Sequence, residues 1–209
     1  MRHMNTPAQI ILASASPRRY ELLQQICVRS LVQAVDIDET KKTSESALEY
    51  VKRLALEKAQ RGFEFIENEQ SLPVMGSDTI IEIAGNVLGK PENRQHAKKM
   101  LQQMSGEIHT VHTSVAIVTQ AKTVTDTNSS QVEFKPLTEH EIDAYLETGE
   151  ADDKAGAYAI QGIAAQFVKK INGSYSGIMG LPLFETAQLL KQCGIDPLAI
   201  DTEINYNNK

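Results

Sequence analysis

"ILASASPRRYELLQQIC" (Ile11–Cys27) changes its hydrophobic period halfway along. Gln9 to Ala13 is a short apolar run that predicts a buried strand. Beyond it Ser16 suits an N-cap and Pro17 the first helical position, while Leu22, Leu23 and Ile26 recur at helical spacing. A strand passing through a short loop into a helix is a unit of α/β folds. The stretch also holds an electrostatic oddity. A helix N-terminus carries roughly half a positive charge, yet Arg18 and Arg19 fall in this first turn. An anion bound at the helix start would relieve the repulsion, through free N–H groups and charge-assisted hydrogen bonds.

Working outward, strands and helices keep alternating. Leu31 to Val35 predicts a second strand ending in the acidic "DIDE" (Asp36–Glu39). Ser46 and Glu49 form a capping box for a helix to about Gln60, with Val51, Leu54, Ala55 and Ala59 on its apolar face and Gly62 as its stop. "PVMGSDTIIEI" (Pro73–Ile83) is a strand that Gly85-Asn86 turns back into "VLGKP". Asn93 to Met104 is helical; Ile108–Thr119 and Ala121–Lys135 are antiparallel neighbours. Thr138 and Glu141 cap a helix to about Thr148, Gln166 to Asn172 is a strand, and Pro182 to Cys193 a final helix with Gly194 as its C-cap. The tail from Thr202 is polar and predicted to fray. The pattern implies an α/β fold, a mixed β-sheet flanked by helices, in one domain over residues 1–209 with a cleft between two lobes.

Composition narrows the function classes. Hydrophobic residues make up 41% and charged residues 23% of 209, ordinary for a soluble globular chain. The net charge of −6 argues against binding a nucleic-acid polymer, although a local cluster of Lys and Arg can still hold a small anion. No apolar run approaches the roughly 18 residues of a membrane span, and the apolar stretch near the N-terminus is too short for a signal peptide. Cys27 and Cys193 match no metal or redox spacing, so both are expected to be buried in a reducing compartment. A cytoplasmic protein follows as the expectation.

Among candidate chemical groups, Asp78 is the most pointed. A carboxylate is a poor strand former and costly to bury, so it is either a metal ligand or general base on a rigid element, or it caps a turn at Gly76-Ser77. "GNVLGKP" (Gly85–Pro91) fails as a Walker loop by its spacing and by Pro91, though Lys90 could meet a phosphate as a point charge. Glu39 and Lys58 taken singly are surface residues. His109 and His112 have neither metal-site spacing nor an evident acidic partner. "DKAGAYAIQG" (Asp153–Gly162) combines small residues with a single amide, Gln161, and suits either a ligand-approaching loop or a plain connector. Several cations, several carboxylates and no evident nucleophile favour metal-assisted hydrolysis of a phosphate compound over acyl transfer.

The blocks "LASASPRRYELL", "DIDE", "LALEKA", "GSDTIIEIAGNVLGKP", "LQQMSGEIHTVHT", "DKAGAYAIQG" and "VKKINGSYSGIMGLP", followed by the last helix, resemble in this order the Maf family of nucleoside triphosphate pyrophosphatases. The resemblance spans Ile10 to about Gly194. It implies a two-lobed Maf/ITPase-like fold, often a homodimer, and cleavage of a nucleoside triphosphate to the monophosphate and pyrophosphate with Mg2+ or Mn2+. It implies that Ser14, Arg18, Lys58 and Lys90 bind the triphosphate, that Asp78 is the catalytic aspartate and that Glu39 joins it as a metal ligand.

Arg19, Thr79 and Gln161 resemble the type acting on dTTP and UTP; Trp, Gln and Glu at these positions go with 7-methyl-GTP. The serine of "GSDT" departs from the alanine more usual in that type. A pyrophosphatase for another modified nucleotide, such as 7-methyl-GTP, is one alternative; family members are also linked to inhibition of cell division and septum formation, which makes a nucleotide-binding regulator another. A glutamine held in one orientation complements the N3–H and O4 of uracil or thymine and mismatches cytosine; an amide free to flip does not discriminate. The expected division of labour gives Arg18 to the phosphates and Arg19 to the base.

Overall fold

The computed structural model describes residues 7–65 and 72–199. In chain order the elements are β1 (Ile10–Leu12), α1 (Pro17–Gln25), β2 (Ser30–Val32), α2 (Ala47–Glu64), β3 (Val74–Ile83), β4 (Asn86–Leu88), α3 (Arg94–Met104), β5 (Ile108–Val118), β6 (Thr123–Phe134), α4 (Glu139–Glu147), β7 (Val168–Asn172), α5 (Tyr175–Met179) and α6 (Leu183–Gln192). The seven strands form one mixed sheet in the order β2-β1-β3-β5-β6-β7, with β4 also paired to β3. The pairs β1–β2 and β1–β3 are parallel and the remaining pairs antiparallel. The α/β architecture expected from the alternating pattern is therefore present. The tail beyond Thr202 lies outside the described residues.

Strand alternation assigns the two faces. Gly76, Asp78 and Ile80 of β3 face α2, where Ala47 and Val51 pack on Ile80, and Ala55 and Ala59 pack on Ala116 of β5. On the opposite face two larger apolar clusters stand apart. One joins Leu12, Met75, Val115 and Ile117 to Leu22 and Leu23 of α1 and Leu189 and Leu190 of α6. The other joins Ile81, Val111 and Phe134 to α3, α4 and the segment around Tyr158. Each fully buried Leu, Ile or Met contributes about 1.5–3 kcal/mol. Between the clusters the same face turns polar at Ser77, Thr79 and Thr113, all of them in the middle of β3 and β5.

Several local expectations are corrected. Ser16 precedes α1 without a side-chain cap, and its backbone N–H donates to Ser14 Oγ at 3.2 Å. The Ser46–Glu49 capping box forms, but α2 runs on through Gly62 to Glu64. Gly62 is small for packing: a Cβ there would lie 2.8 Å from Val74 and 2.9 Å from Ala13. β2 stops at Val32, so Glu39 stands on a loop and not at a strand end. A short 3-10 helix, Ile163–Phe167, replaces the start of the strand expected from Gln166. Cys27 is exposed in a left-handed turn at φ 59, and Cys193 is half-buried. His112, read as lacking an acidic partner, has one across the sheet: its Nε2 is 3.0 Å from Glu82 and its Nδ1 2.8 Å from Ser129 Oγ. Among the described residues no helix is long and apolar enough to cross a membrane.

Two outcomes follow. A Cβ on Gly76 would sit 2.3 Å from the Ala55 carbonyl oxygen and 2.5 Å from the Ala59 nitrogen, both backbone atoms of α2. Gly76→Ala is therefore expected to lose about 3 kcal/mol or more in urea unfolding. His109 packs edge-on against Phe134 and Tyr158, and burial lowers its pKa from 6.5 to about 4. Its neutral form thus supports the fold fully above pH 6.5, and that contribution is lost as pH falls through about 4. His109→Gln should lose up to about 3 kcal/mol less stability than the parent across this window.

Candidate active site

The site begins at an interruption in sheet pairing. β1 pairs with β3 only at Val74 and Met75, and β4 takes up the same side of β3 from Ile81 onward. Between them, residues 76–80 have β5 on one side and no strand on the other. A cleft of about 590 Å³ opens there, within the size range of small-molecule sites. Because side chains alternate along β3, the open edge offers Asp78 from one face of the sheet and Thr79 from the other.

On the α2 side, Lys58 Nζ lies 2.6 Å from Asp78 Oδ1 and 2.7 Å from Glu39 Oε1. The lysine is on the buried face of α2, and the carboxylates come from β3 and from the loop after β2. That loop is tied down: Tyr50 Oη donates to the Glu39 carbonyl at 2.6 Å, and Arg53 binds both Glu45 and the Thr40 carbonyl. Burial dominates at Asp78, which is 7% exposed, and raises its pKa against the opposing charges of Lys58 and Arg19. At the more open Glu39 burial acts in the same sense, but the hydrogen bond and charge of Lys58, aided by Lys90 and Arg19, outweigh it and lower the pKa. The two carboxylates are thereby driven apart in proton affinity.

On the other face Arg19 is the hub. Its Nε donates to the Gly180 carbonyl at 2.9 Å, its Nη1 to Ser14 Oγ at 3.1 Å, and its Nη2 to Thr79 Oγ1 at 3.2 Å. Burial lowers the Arg19 pKa; Asp78 offsets this and the neighbouring Arg18 adds to it. The repulsion of the first turn is thus met partly inside the protein, by two hydroxyls, a carbonyl and a carboxylate, with no anion needed for Arg19. Arg19 also touches Ser14, so one guanidinium spans the groups assigned separately to phosphates and to base.

All nine residues singled out in the sequence line this one cleft. Arg18 stands at the start of α1, Lys90 follows β4, and Gln161 enters from the loop before the 3-10 helix. Gln161 is exposed and its amide has no hydrogen-bond partner among the described residues, so the orientation on which its discrimination depended is not held. The sequence reading missed Lys154, which is paired with Asp153, and the Met179–Gly180 turn, both on the cleft wall. The signal for Lys154 was within reach, a cation inside "DKAGAYAIQG". Gly180 carried none: its carbonyl matters only because the chain returns at φ 122 to meet Arg19 and Ser77.

A hard divalent cation takes oxygen ligands, and Mg2+ is commonly held by one or two carboxylates together with substrate phosphates and water. Asp78 and Glu39, close enough to share one ammonium, fit that donor set. Among the described residues no cluster of three or more His, Cys, Asp or Glu is placed to hold a metal by protein ligands alone. A cation held by these two carboxylates would complete its coordination with water or with ligand oxygens.

The model of the family described as Maf-like protein matches residues 9–193. The "dTTP/UTP pyrophosphatase" of Colwellia psychrerythraea is 49% identical over 192 residues, covering 91% of each chain. Those of Aliivibrio fischeri, 50% identical over 88% of this chain and 98% of the relative, and Hahella chejuensis, 46% identical over 90% and 93%, carry the same name. Among solved structures, the Staphylococcus aureus Ham1 protein aligns over 60% of this chain and 71% of its own, with a TM-score of 0.40 and 14% identity.

Lys58→Met removes the shared cation while leaving Asp78 buried. The Asp78 carboxyl should then titrate higher still, and Glu39 should lose its lowering. Carboxyl carbon shifts followed by NMR across pH would show this; unchanged titration of both groups would contradict the arrangement.

Proposed function

The chain belongs to the Maf-like family, and from that premise we propose that it hydrolyses dTTP and UTP to the monophosphate and pyrophosphate. The observation that carries the reading is the pair of carboxylates, Asp78 and Glu39, gathered on Lys58 at an open strand edge. Around them Ser14, Arg18 and Lys90 bring hydrogen-bond donors and positive charge to a single cleft.

In the proposed mechanism the triphosphate lies across the start of α1, where free N–H groups and Arg18 meet its oxygens. Asp78 and Glu39 would hold Mg2+ or Mn2+, which when bound supplies Lewis-acid polarisation of the phosphate oxygens. Asp78, whose burial raises its proton affinity, takes the proton from the attacking water. Water adds in line at the α-phosphorus and pyrophosphate leaves. Ser14, Arg18, Lys58 and Lys90 offset the charge that gathers on the equatorial and leaving oxygens. Arg19, Thr79 and Gln161 face the base. The reading includes a single domain, a homodimer and a cytoplasmic setting.

Pyrophosphate release from dTTP, UTP, CTP and 7-methyl-GTP, measured with Mg2+ or Mn2+ and again after chelation, tests this directly. Turnover of dTTP and UTP that disappears with the metal is expected; a clear preference for 7-methyl-GTP would overturn the substrate assignment. Asp78→Asn should lower kcat by about 100-fold or more while circular dichroism stays that of the parent. Light scattering on the purified chain checks the dimer.

A further inference from the structure

The polar strip between the two apolar clusters fixes the direction of its hydroxyl protons. Thr113 Oγ1, buried on β5, lies 2.8 Å from the Gly177 carbonyl oxygen and 3.0 Å from Thr79 Oγ1. A carbonyl oxygen cannot donate, so the proton in the first contact is Thr113's own. A threonine hydroxyl has one proton, so the second contact is closed by Thr79 donating to Thr113. On its other side Thr79 Oγ1 accepts from Arg19 Nη2 at 3.2 Å. With its proton committed and one lone pair engaged, Thr79, which lines the cleft, has a single acceptor site left.

Ser14 is the opposite case. Its Oγ accepts from the Ser16 backbone N–H at 3.2 Å and from Arg19 Nη1 at 3.1 Å. Both lone pairs are engaged, and the proton remains to be donated. Arg19 cannot reverse either assignment, because a guanidinium only donates. Its plane is also locked, since Nε binds the Gly180 carbonyl, which Ser77 Oγ holds from behind at 3.1 Å.

We propose that Thr113 is a positioning residue for base selection: by accepting the Thr79 proton it makes Thr79 a pure acceptor toward the cleft. A base edge with a ring N–H, as uracil and thymine have at N3, meets that acceptor; cytosine presents a lone pair there and is disfavoured. Ser14, a pure donor, is matched to phosphate oxygens, which only accept. The inference rests on the reading of Thr79 as facing the base. It moves discrimination from the Gln161 amide, which has no hydrogen-bond partner among the described residues, to a hydroxyl whose polarity the fold sets.

The test compares kcat/KM for UTP and CTP in the parent, Thr113→Val, Thr113→Ser and Thr79→Val. In Thr113→Val the Thr79 hydroxyl is free to rotate and donate to cytosine, so the UTP-to-CTP ratio should fall about 10-fold. Thr113→Ser keeps the acceptor and should keep the ratio, and Thr79→Val should lower it. A Thr113→Val protein that loses activity toward both nucleotides equally, beside a Thr79→Val protein with a changed ratio, overturns this inference alone. An unchanged ratio in Thr79→Val overturns the base-facing reading and the inference with it. Should Thr113→Val fail to fold, Thr113→Ala carries the same expectations. Ser14→Ala should weaken both nucleotides alike; a change of ratio there would overturn the split in polarity.

Discussion

The cleft depends on how closely α2 lies on β3. Ala55 and Ala59 on the helix and Gly76 on the strand let the two backbones approach until no space remains for a Cβ at Gly76. At that spacing Lys58, which lies between the two alanines, and Asp78, two residues beyond Gly76, are brought to 2.6 Å with the carboxylate nearly buried. A wider spacing would let water between them, and the ion pair would weaken toward the value of a surface bridge. Small residues in a core contact thus set the electrostatics of a site they do not touch.

A second constraint is the interruption along β3. Two short strands share its outer side, β1 below and β4 above, and neither covers residues 76–80. An uncovered strand edge is ordinarily a liability for a sheet. Here the start of α1, the loop carrying Glu39, and the segments around Lys154 and Gly180 surround it. The edge gives access to side chains from both faces of one strand. The Lys58–Asp78–Glu39 cluster can therefore be kept on the α2 face and the Arg19 hydrogen-bond network on the other, with Asp78 and Thr79 one residue apart in sequence.

Much of this was legible in the chain. The change of period after Ala13, the capping boxes at Ser46 and Thr138, and the Gly85-Asn86 turn placed most elements within a few residues. Those signals are local, arising from backbone hydrogen bonds and side-chain spacing within one turn or one strand. Two of the readings that missed, at Gly62 and His112, were ones where distant residues decided, while Cys27 was missed on a local turn. Gly62 looked like a helix stop and is a packing contact with Val74 and Ala13. Cys27 looked like a core residue and sits exposed in a left-handed turn. His112 looked unpartnered because Glu82 is 30 residues away along the chain and adjacent only across the sheet.

By itself, the sequence determined the alternation of strands and helices, the inventory of cations and carboxylates, and the order of motifs that places the chain in its family. Charge and periodicity are properties of residue types and survive without coordinates. Only the tertiary structure decided what those residues are to one another. It joined Lys58 to two carboxylates and divided Asp78 and Thr79 between opposite faces. It also tied Arg18's neighbour Arg19 to two hydroxyls and a carbonyl. The direction of a hydroxyl proton belongs to this second kind of fact. Thr79 can donate or accept in any sequence, and only Thr113, Gly177 and Arg19, meeting around it from separate elements, leave it one role.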